Sequence, residues 1–246
     1  MSTATVARPK RKIEYPDSDG QPMSDNTVQF RWIQTLQGGL DVLFREDPLV
    51  FVAGDLLWYP VEGNNTLRTA PDAMVVFGRP KGDRGSYRQW EEDGIAPQVV
   101  FEIVSPGNRA GQLVTKFQFY ERFGVEEFYL YDPETASLTV WIRRDEALQE
   151  IAEPNGWVSP RLGVRFDLSG GELRVLRPDG RPLVSYVELA EESERERLRA
   201  EQERLRAEQE RLRAERLAAQ LRALGIDPEQ QADAVATPSG RSSVTP

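Results

Sequence analysis

The stretch VVFEIVSP, residues 99–106, is the feature that most constrains the fold of this chain. Successive side chains of a strand point to opposite faces of a sheet, so this run would be apolar on both faces except at Glu102. Such a strand is typical of the centre of a sheet that is covered on two sides. Burying an ionised carboxylate there costs several kcal/mol unless it is paired or binds a cation. The sequence therefore raises the question of what Glu102 does.

The pattern around this run predicts a mixed α/β fold. Runs rich in β-branched and aromatic residues mark the strand candidates, which are residues 49–53, 73–77, 99–104 and 127–131. Apolar residues at helical spacing predict helices over residues 26–44 and 111–123, the first of which would bury Phe30, Ile33, Leu36 and Leu40. Later strand-like segments, with Ser169-Gly170-Gly171 as a hairpin turn, predict antiparallel pairs. We therefore expect a mixed central sheet flanked by helices.

The composition along the chain predicts four regions. Residues 1–12 are polar and basic and residues 225–246 contain ATPSGRSSVTP, so we expect both segments to be disordered. Residues 13–190 carry the predicted strands and helices and would form one folded domain. Residues 191–224 are predicted to form a charged helix or coiled coil, because the segment RLRAEQE occurs there twice in succession.

The seven-residue repeat leaves two interpretations of this last helix open. A coiled coil is favoured by one stripe of leucines, which consists of Leu198, Leu205 and Leu212. A solvated single helix is supported equally well. The other seam position is polar, being Glu201 or Gln202, and pairs of opposite charges along the helix would stabilise it without a partner. A further apolar cluster favours self-association and consists of Leu217, Leu221 and Leu224. We therefore expect a homodimer.

The absence of two residue types excludes many kinds of active site. The chain has no histidine and no cysteine, so it can form no Ser-His-Asp triad, no Cys-His pair, no disulfide and no zinc site built from these residues. The Walker A and G-x-G-x-x-G patterns are missing as well. Carboxylates that hold an oxygen-preferring cation such as Mg²⁺ are the leading remaining basis for catalysis. The net charge of −9 predicts no overall basic surface for a nucleic acid.

The distribution of apolar residues predicts no contact with a membrane. No run approaches the roughly 18 uninterrupted apolar residues of a membrane-spanning helix. The opening MSTATVARPKRK is basic but lacks the apolar stretch of a secretory signal. We therefore expect a cytoplasmic protein.

Three residues could together carry catalytic chemistry. Asp72 opens the strand candidate in RTAPDAMVVFG, where it could also be an ordinary turn residue. Glu102 could simply be ion-paired. Lys116 lies on the apolar face of the second helix, where its stem could rest on the core with the ammonium in water. Taken together, the two carboxylates would hold a divalent cation, and the lysine would stabilise charge or position the attacking water.

Several stretches of the chain occur in the order of a known family. They are YPDSDGQPMSDN, AGDLLWYP, APDAMVVFG, GDRGSYRQWEE, PQVVFEIVSPGN, KFQFYERFGVEEFYLYDP, GWVSPRLGVRF and LRALGIDP. With these stretches the chain resembles the Uma-type putative restriction endonucleases, which belong to the PD-(D/E)XK nuclease superfamily. The resemblance implies a restriction-endonuclease-like core in residues 13–190 and a metal-dependent endonuclease that acts on DNA with Mg²⁺, or Mn²⁺ as an alternative.

The resemblance also assigns roles to the three candidates. Asp72 takes the place of the PD aspartate and Glu102 that of the second carboxylate, so that both would bind the metal. The superfamily pattern places a lysine two residues after the glutamate, where this chain has Val104. Within the resembling family the lysine is expected from the following helix, which indicates Lys116. The missing strand lysine also leaves open a catalytically inactive nuclease-fold module that binds a nucleic acid or a protein partner.

Two weaker candidates lie outside this constellation. The Gly-rich segment GRPKGDRGSYRQW interleaves Tyr87 and Trp90 with four cations, which are Arg79, Lys81, Arg84 and Arg88. Such residues suit contacts to phosphates and unstacked bases, although a solvated surface loop would have the same composition. Asp55 in AGDLLWYP could add a carboxylate near the metal, and its ordinary interpretation is a loop residue.

Overall fold

The computed structural model describes residues 13–18, 20, 24, 26–107 and 110–225. The helices are α1 (Thr27–Leu43), α2 (Ala110–Arg122) and α3 (Tyr186–Ala223), with a short 3₁₀ helix at Gln89–Glu91. The strands are β1 (Val50–Ala53), β2 (Trp58–Tyr59), β3 (Ala73–Phe77), β4 (Tyr87–Arg88), β5 (Val99–Ile103), β6 (Glu127–Asp132), β7 (Ser137–Arg144), β8 (Ala147–Glu150), β9 (Arg165–Asp167) and β10 (Arg174–Leu176). The disorder predicted for residues 1–12 and 226–246 falls outside the described residues.

The main sheet is mixed, as predicted. Its six strands lie in the order β1-β3-β5-β6-β7-β8. β5 and β6 are parallel and are joined through α2, whereas the other neighbours are antiparallel. β5 lies in the interior of the sheet and all its residues are buried, which confirms the prediction of a central strand covered on both faces.

Two small sheets complete the strands. β9 and β10 form the antiparallel hairpin that the turn residues predicted. β2 and β4 pair in parallel and were not predicted. Each of these two strands has only two residues, which is too short for an alternating pattern to be recognised in the sequence.

Each face of the sheet carries its own core. On one face α1 packs with the segment around the β9–β10 hairpin, and this core includes Leu36, Phe101, Tyr129 and Phe166. On the other face α2 packs against Met74, Val100 and Phe128. Because side chains alternate along β5, Glu102 points to the face of α2, opposite to its neighbours Phe101 and Ile103.

The buried stripe of α1 differs from the prediction at one position. Phe30 is 38% exposed, whereas Trp32 is 7% exposed. The buried stripe begins at Gln29 and continues through Trp32, Ile33, Leu36 and Leu40. The prediction wrongly placed Phe30 in the buried stripe because it counted only apolar residues, whereas the first buried residue, Gln29, is polar.

The described part of the chain divides into two compact units between Leu189 and Ala190. α3 starts in the first unit, and none of its residues is buried. Across the described ranges, no helix is long and apolar enough to cross a membrane.

Two glycines of α1 allow the chain to approach the helix backbone closely. A Cβ at Gly38 would lie 2.8 Å from the ring of Tyr186, and one at Gly39 would lie 2.9 Å from Cβ of Leu183. Real Cβ atoms do not come so close to their neighbours. The segment leading into α3 therefore packs directly on the backbone of α1.

We expect Gly39→Ala to lower the free energy of unfolding by about 1–3 kcal/mol, because the new methyl group overpacks against Leu183. Gly111→Ala in α2 is the matched control, since a Cβ there meets nothing within 4 Å. The control should be neutral or more stable by up to about 1 kcal/mol. Urea unfolding of both variants measures the difference, and equal stabilities would contradict the close approach.

Candidate active site

Asp72 and Glu102 lie at the same end of the sheet. Asp72 directly precedes β3, and Ala73 is paired with Phe101 in the antiparallel register of β3 and β5. The backbone N–H of Ile103 donates a hydrogen bond of 2.6 Å to Oδ2 of Asp72. Asp72 is 6% exposed and Glu102 is 3% exposed, so both carboxylates are buried. Two adjacent strands therefore bring together the two carboxylates that the sequence analysis selected.

The third candidate, Lys116, belongs to the same cluster. Its ammonium donates to Oε2 of Glu102 at 2.7 Å and to the backbone oxygen of Ala70 at 3.1 Å. The lysine side chain is 29% exposed, whereas that of Glu102 is 4% exposed. The ammonium thus pairs with a buried carboxylate and still reaches solvent.

Tyr120 is the second partner of Glu102. Its hydroxyl donates to Oε1, and its side chain is fully buried. Lys116 and Tyr120 are four residues apart on α2, so they lie on one face of the helix, one turn apart. A single helical turn therefore supplies a donor to each oxygen of Glu102.

Gln29 is a site residue that the sequence analysis missed. Its amide nitrogen lies 3.5 and 3.4 Å from the two carboxylate oxygens of Asp72 and 3.3 Å from the backbone oxygen of Ile103. The side chain of Asn26 caps α1 by accepting from the N–H of Gln29, which places Gln29 in the first turn of the helix. A polar residue in phase with the buried stripe of α1 was the signal that could have identified it.

Asp55 lies in the same neighbourhood. Its backbone N–H donates to the backbone oxygens of Pro71 and Asp72 at 3.1 and 3.3 Å. Its φ of 48° is in the left-handed region, which aspartate adopts more readily than most residues. Burial lowers the pKa of Lys116, but the negative charges of Glu102 and Asp72 raise it, and the net result is a pKa above the ordinary value. The negative charge of Asp55 adds a smaller increase.

Burial dominates the ionisation of the cluster. Desolvation raises the pKa of Glu102 to about 7, and the charge of Asp72 adds to this shift while Lys116 and Tyr120 oppose it. Burial, together with the charge of Glu102, also raises the pKa of Tyr120 well above its ordinary value. Tyr120 therefore remains a protonated donor, and Glu102 exchanges its proton near neutral pH.

The two carboxylates can be compared with what a magnesium ion requires. No group of three or more Asp, Glu, His or Cys side chains that could hold a metal occurs within the described residues. Mg²⁺, however, is usually held by one or two carboxylates together with water and substrate phosphates. Asp72 and Glu102 meet this requirement, and an ionised carboxylate can accept more bonds than the contacts seen here use.

Glu127 is a second buried carboxylate with a different environment. It accepts from the hydroxyl of Tyr129 and the backbone N–H of Arg161, each at 2.7 Å, and from the hydroxyl of Ser159. It shares a face of β6 with Tyr129, which lies in the core on the side of α1. Neutral donors satisfy this carboxylate, so it has a structural role.

In the segment GRPKGDRGSYRQW, residues 78–90 and here called the basic loop, Arg79 and Arg84 form ion pairs with carboxylates. Nε of each arginine lies within 2.9 Å of Glu92, and Arg79 also contacts Asp93. The side chains of Arg79, Arg84 and Glu92 are only 13–14% exposed. The guanidinium of Arg84 also lies 4.0 Å from the ring centroid of Phe51. These two arginines therefore hold the loop together.

The other two cations of the loop are also paired. Lys81 lies 3.0 Å from Asp41, and Arg88 lies 3.5 Å from Glu91 and 3.9 Å from Asp17. Tyr87 is fully buried, and its hydroxyl donates to the backbone oxygen of Ile95. Contact of this loop with a nucleic acid stays a prediction.

We expect Arg84→Gln to lower the free energy of unfolding by about 1–2 kcal/mol, because it removes a partner of Glu92 and the contact with Phe51. Arg88→Gln, whose ion pairs are longer and more exposed, should cost less than about 1 kcal/mol. Thermal melting compares the two variants. If Arg88→Gln flattens the salt dependence of DNA binding without changing stability, that result supports contact with a nucleic acid.

The pKa of Glu102 predicts a pH-dependent stability without metal. The folded state holds the proton more tightly than the unfolded chain, whose ordinary pKa is 4.5. The stabilising contribution is therefore complete below about pH 4.5 and is lost as the pH rises through about 7. Relative to Glu102→Gln, the parent should lose up to about 3 kcal/mol between pH 5 and about pH 8. Urea unfolding in the presence of a chelator measures this difference.

Glu150→Gln, at an exposed position of β8, is the control and should follow the parent at every pH. A constant difference between the parent and Glu102→Gln would show that Lys116 keeps Glu102 ionised throughout.

Comparison with known proteins identifies a family for this chain. The family model described as Uma2, putative restriction endonuclease, matches residues 4–175, which include Asp72, Glu102 and Lys116. A crystal structure of a putative nuclease belonging to DUF820 from Anabaena variabilis is similar at 17% identity and a TM-score of 0.41, over 56% of this chain and 74% of that chain. None of the curated proteins matches. Because the family model covers well over half of its residues, the chain belongs to the Uma2 family of putative restriction endonucleases.

Proposed function

We propose that this protein is a metal-dependent endonuclease that hydrolyses phosphodiester bonds in DNA. The observation that carries the proposal is the pair of buried carboxylates, Asp72 and Glu102, at one end of adjacent strands with the ammonium of Lys116 hydrogen-bonded to one of them. Membership of a family of putative restriction endonucleases supports nuclease function in general. The absence of histidine and cysteine supports an oxygen-ligand mechanism over the alternatives.

Asp72 and Glu102 would hold Mg²⁺, or Mn²⁺ as an alternative. When bound, such an ion supplies positive charge at the phosphate and promotes the ionisation of water. Burial in a low-dielectric site strengthens the attraction between the carboxylates and the ion. A cation would also remove the repulsion that now helps to raise the pKa of Glu102.

Lys116 would act on the substrate. Its ammonium is held between Glu102 and the backbone oxygen of Ala70, and part of the side chain is exposed. From that position the ammonium can stabilise negative charge on a phosphate or orient the attacking water. In the PD-(D/E)XK pattern the lysine belongs to the strand, whereas in this proposal α2 would supply it as Lys116.

Tyr120 and Gln29 would position the two carboxylates. Tyr120 donates to Glu102, and Gln29 donates to Asp72 and to the backbone oxygen of Ile103. Neither side chain carries a charge at neutral pH, so both can orient the ligands without competing with a cation for them. Held in this way, the carboxylates would need little rearrangement when a cation binds.

We expect Asp72→Asn and Glu102→Gln each to abolish Mg²⁺-dependent cleavage of DNA. Each change should also remove the rise in melting temperature that a divalent cation gives the parent by binding the folded state selectively. Lys116→Ala should lose cleavage but keep the metal-induced rise, because an ammonium is not a metal ligand. Plasmid cleavage and thermal melting with and without Mg²⁺ or Mn²⁺ measure the two effects.

Asp132→Asn is the matched control, since Asp132 ends β6 at the same edge of the sheet and accepts from the backbone N–H of Glu134. It should keep both cleavage and the metal response. If the parent neither cleaves DNA nor gains stability from a divalent cation, the chain is an inactive nuclease-fold module. If Glu102→Gln alone unfolds the chain, Glu102 is a structural residue.

A further inference from the structure

The C-terminal helix leaves a regular row of leucines exposed. Residues 190–223 of α3 contain no buried residue. The row follows the seven-residue repeat and consists of Leu198, Leu205 and Leu212, which are 47%, 57% and 41% exposed. Leucines spaced by seven residues share one side of a helix, and in water such a row is stabilised when it is covered.

The repeat allows two registers for a coiled coil, and one of them is clearly better. If the leucines take position a, position d is glutamate, and Glu201 and Glu208 would each face their own copy across the seam. If the leucines take position d, position a is occupied by the neutral residues Gln202 and Gln209 between the leucines and by Arg195 and Arg216 at the two ends of the segment. Buried like charges repel, whereas a neutral amide at position a is tolerated and specifies register. The favoured register therefore has leucine at d.

This register places opposite charges on the two sides of the seam. Position g is always glutamate, at Glu194, Glu201 and Glu208. From Arg199 onwards position e is arginine, at Arg199, Arg206 and Arg213, whereas the preceding e position is Glu192. In a parallel pair of helices, each g residue contacts the e residue five positions later on the other helix. Every such contact then joins a glutamate to an arginine.

The structure leaves these arginines available. Within α3 the ion pairs of residues 190–223 involve other arginines, which are Arg195, Arg197 and Arg211. Arg199, Arg206 and Arg213 form no ion pair within this segment. A glutamate precedes each of these arginines by three residues and follows Arg199 and Arg206 by four, but none of these pairs is formed within residues 190–223. The three arginines are therefore available to a second helix.

We propose that residues 194–216 pair with the same segment of a second copy of this chain as a parallel, in-register two-stranded coiled coil. The leucine row forms the seam, and Glu194, Glu201 and Glu208 bind Arg199, Arg206 and Arg213 of the other copy, respectively. An antiparallel pair would place arginine opposite arginine and glutamate opposite glutamate. Leu217, Leu221 and Leu224 fall outside this register, so the seam ends near Arg216. The proposal does not depend on the nuclease function.

The absence of native cysteine makes a cross-linking test direct. Arg195→Cys introduces a thiol at position a, where two copies meet only if the helices are parallel and in register. Ser193→Cys is the matched control, because position f points away from the seam. After mild oxidation of the full chain, Arg195→Cys should form a covalent dimer on a non-reducing gel and Ser193→Cys should not. Preferential cross-linking of Arg195→Cys with Leu212→Cys in a mixture would establish an antiparallel pair, in which position a faces position d, and overturn the proposal.

Charge reversal tests the ion pairs in the full chain. One variant carries Arg199→Glu, Arg206→Glu and Arg213→Glu, and the other carries Glu194→Arg, Glu201→Arg and Glu208→Arg. Each alone should dimerise at least tenfold more weakly than the parent, and an equimolar mixture should restore the dimer. Light scattering reports mass, and circular dichroism reports whether the helix is retained. A monomeric parent at tens of micromolar, or reversed variants that dimerise as tightly as the parent, would overturn the proposal.

Discussion

The burial of Glu102 in the central strand is the constraint on which the site depends. A carboxylate at 3% exposure is costly unless both its oxygens have partners. Lys116 and Tyr120 provide them from one turn of α2. The same two contacts tie α2 to the strand that it follows, so the element that covers this face of the sheet is also the element that neutralises the charge. The helix that packs on this face of the sheet therefore also supplies the hydrogen-bond donors of the buried carboxylate.

Much of this arrangement could be predicted from the sequence because it rests on local patterns. The apolar run at residues 99–104 predicts a strand covered on both faces, and β5 has that position. The spacing of Leu113, Lys116, Phe117 and Tyr120 predicts a helix with a lysine on its apolar face, and α2 is that helix. Once the two carboxylates lie on neighbouring strands and the lysine on the next helix, the chain order brings all three together.

The features that could not be predicted depend on contacts that form only in the folded chain. The phase of Gln29 in the stripe of α1 indicates that it is buried, but its partner Asp72 lies 43 positions away and no local pattern relates the two residues. The composition of the basic loop did not show that Arg79 and Arg84 pair with Glu92, just after the loop, and contact of the loop with phosphates stays a prediction. Composition shows which charges are present, whereas only the folded chain shows which charges already have partners.

The position of both donors of Glu102 on one turn of α2 makes the site sensitive to the rotational phase of this helix. Each residue rotates an α-helix by about 100°, so a single insertion before Lys116 would turn its ammonium away from Glu102 and turn Tyr120 out of the core at the same time. Along this helix a lysine can serve Glu102 only at steps of three or four residues. A strand, whose side chains alternate, offers such a position at every second residue. An ammonium supplied from a helix therefore depends on the rotation of that helix about its axis as well as on the position of the lysine in the sequence.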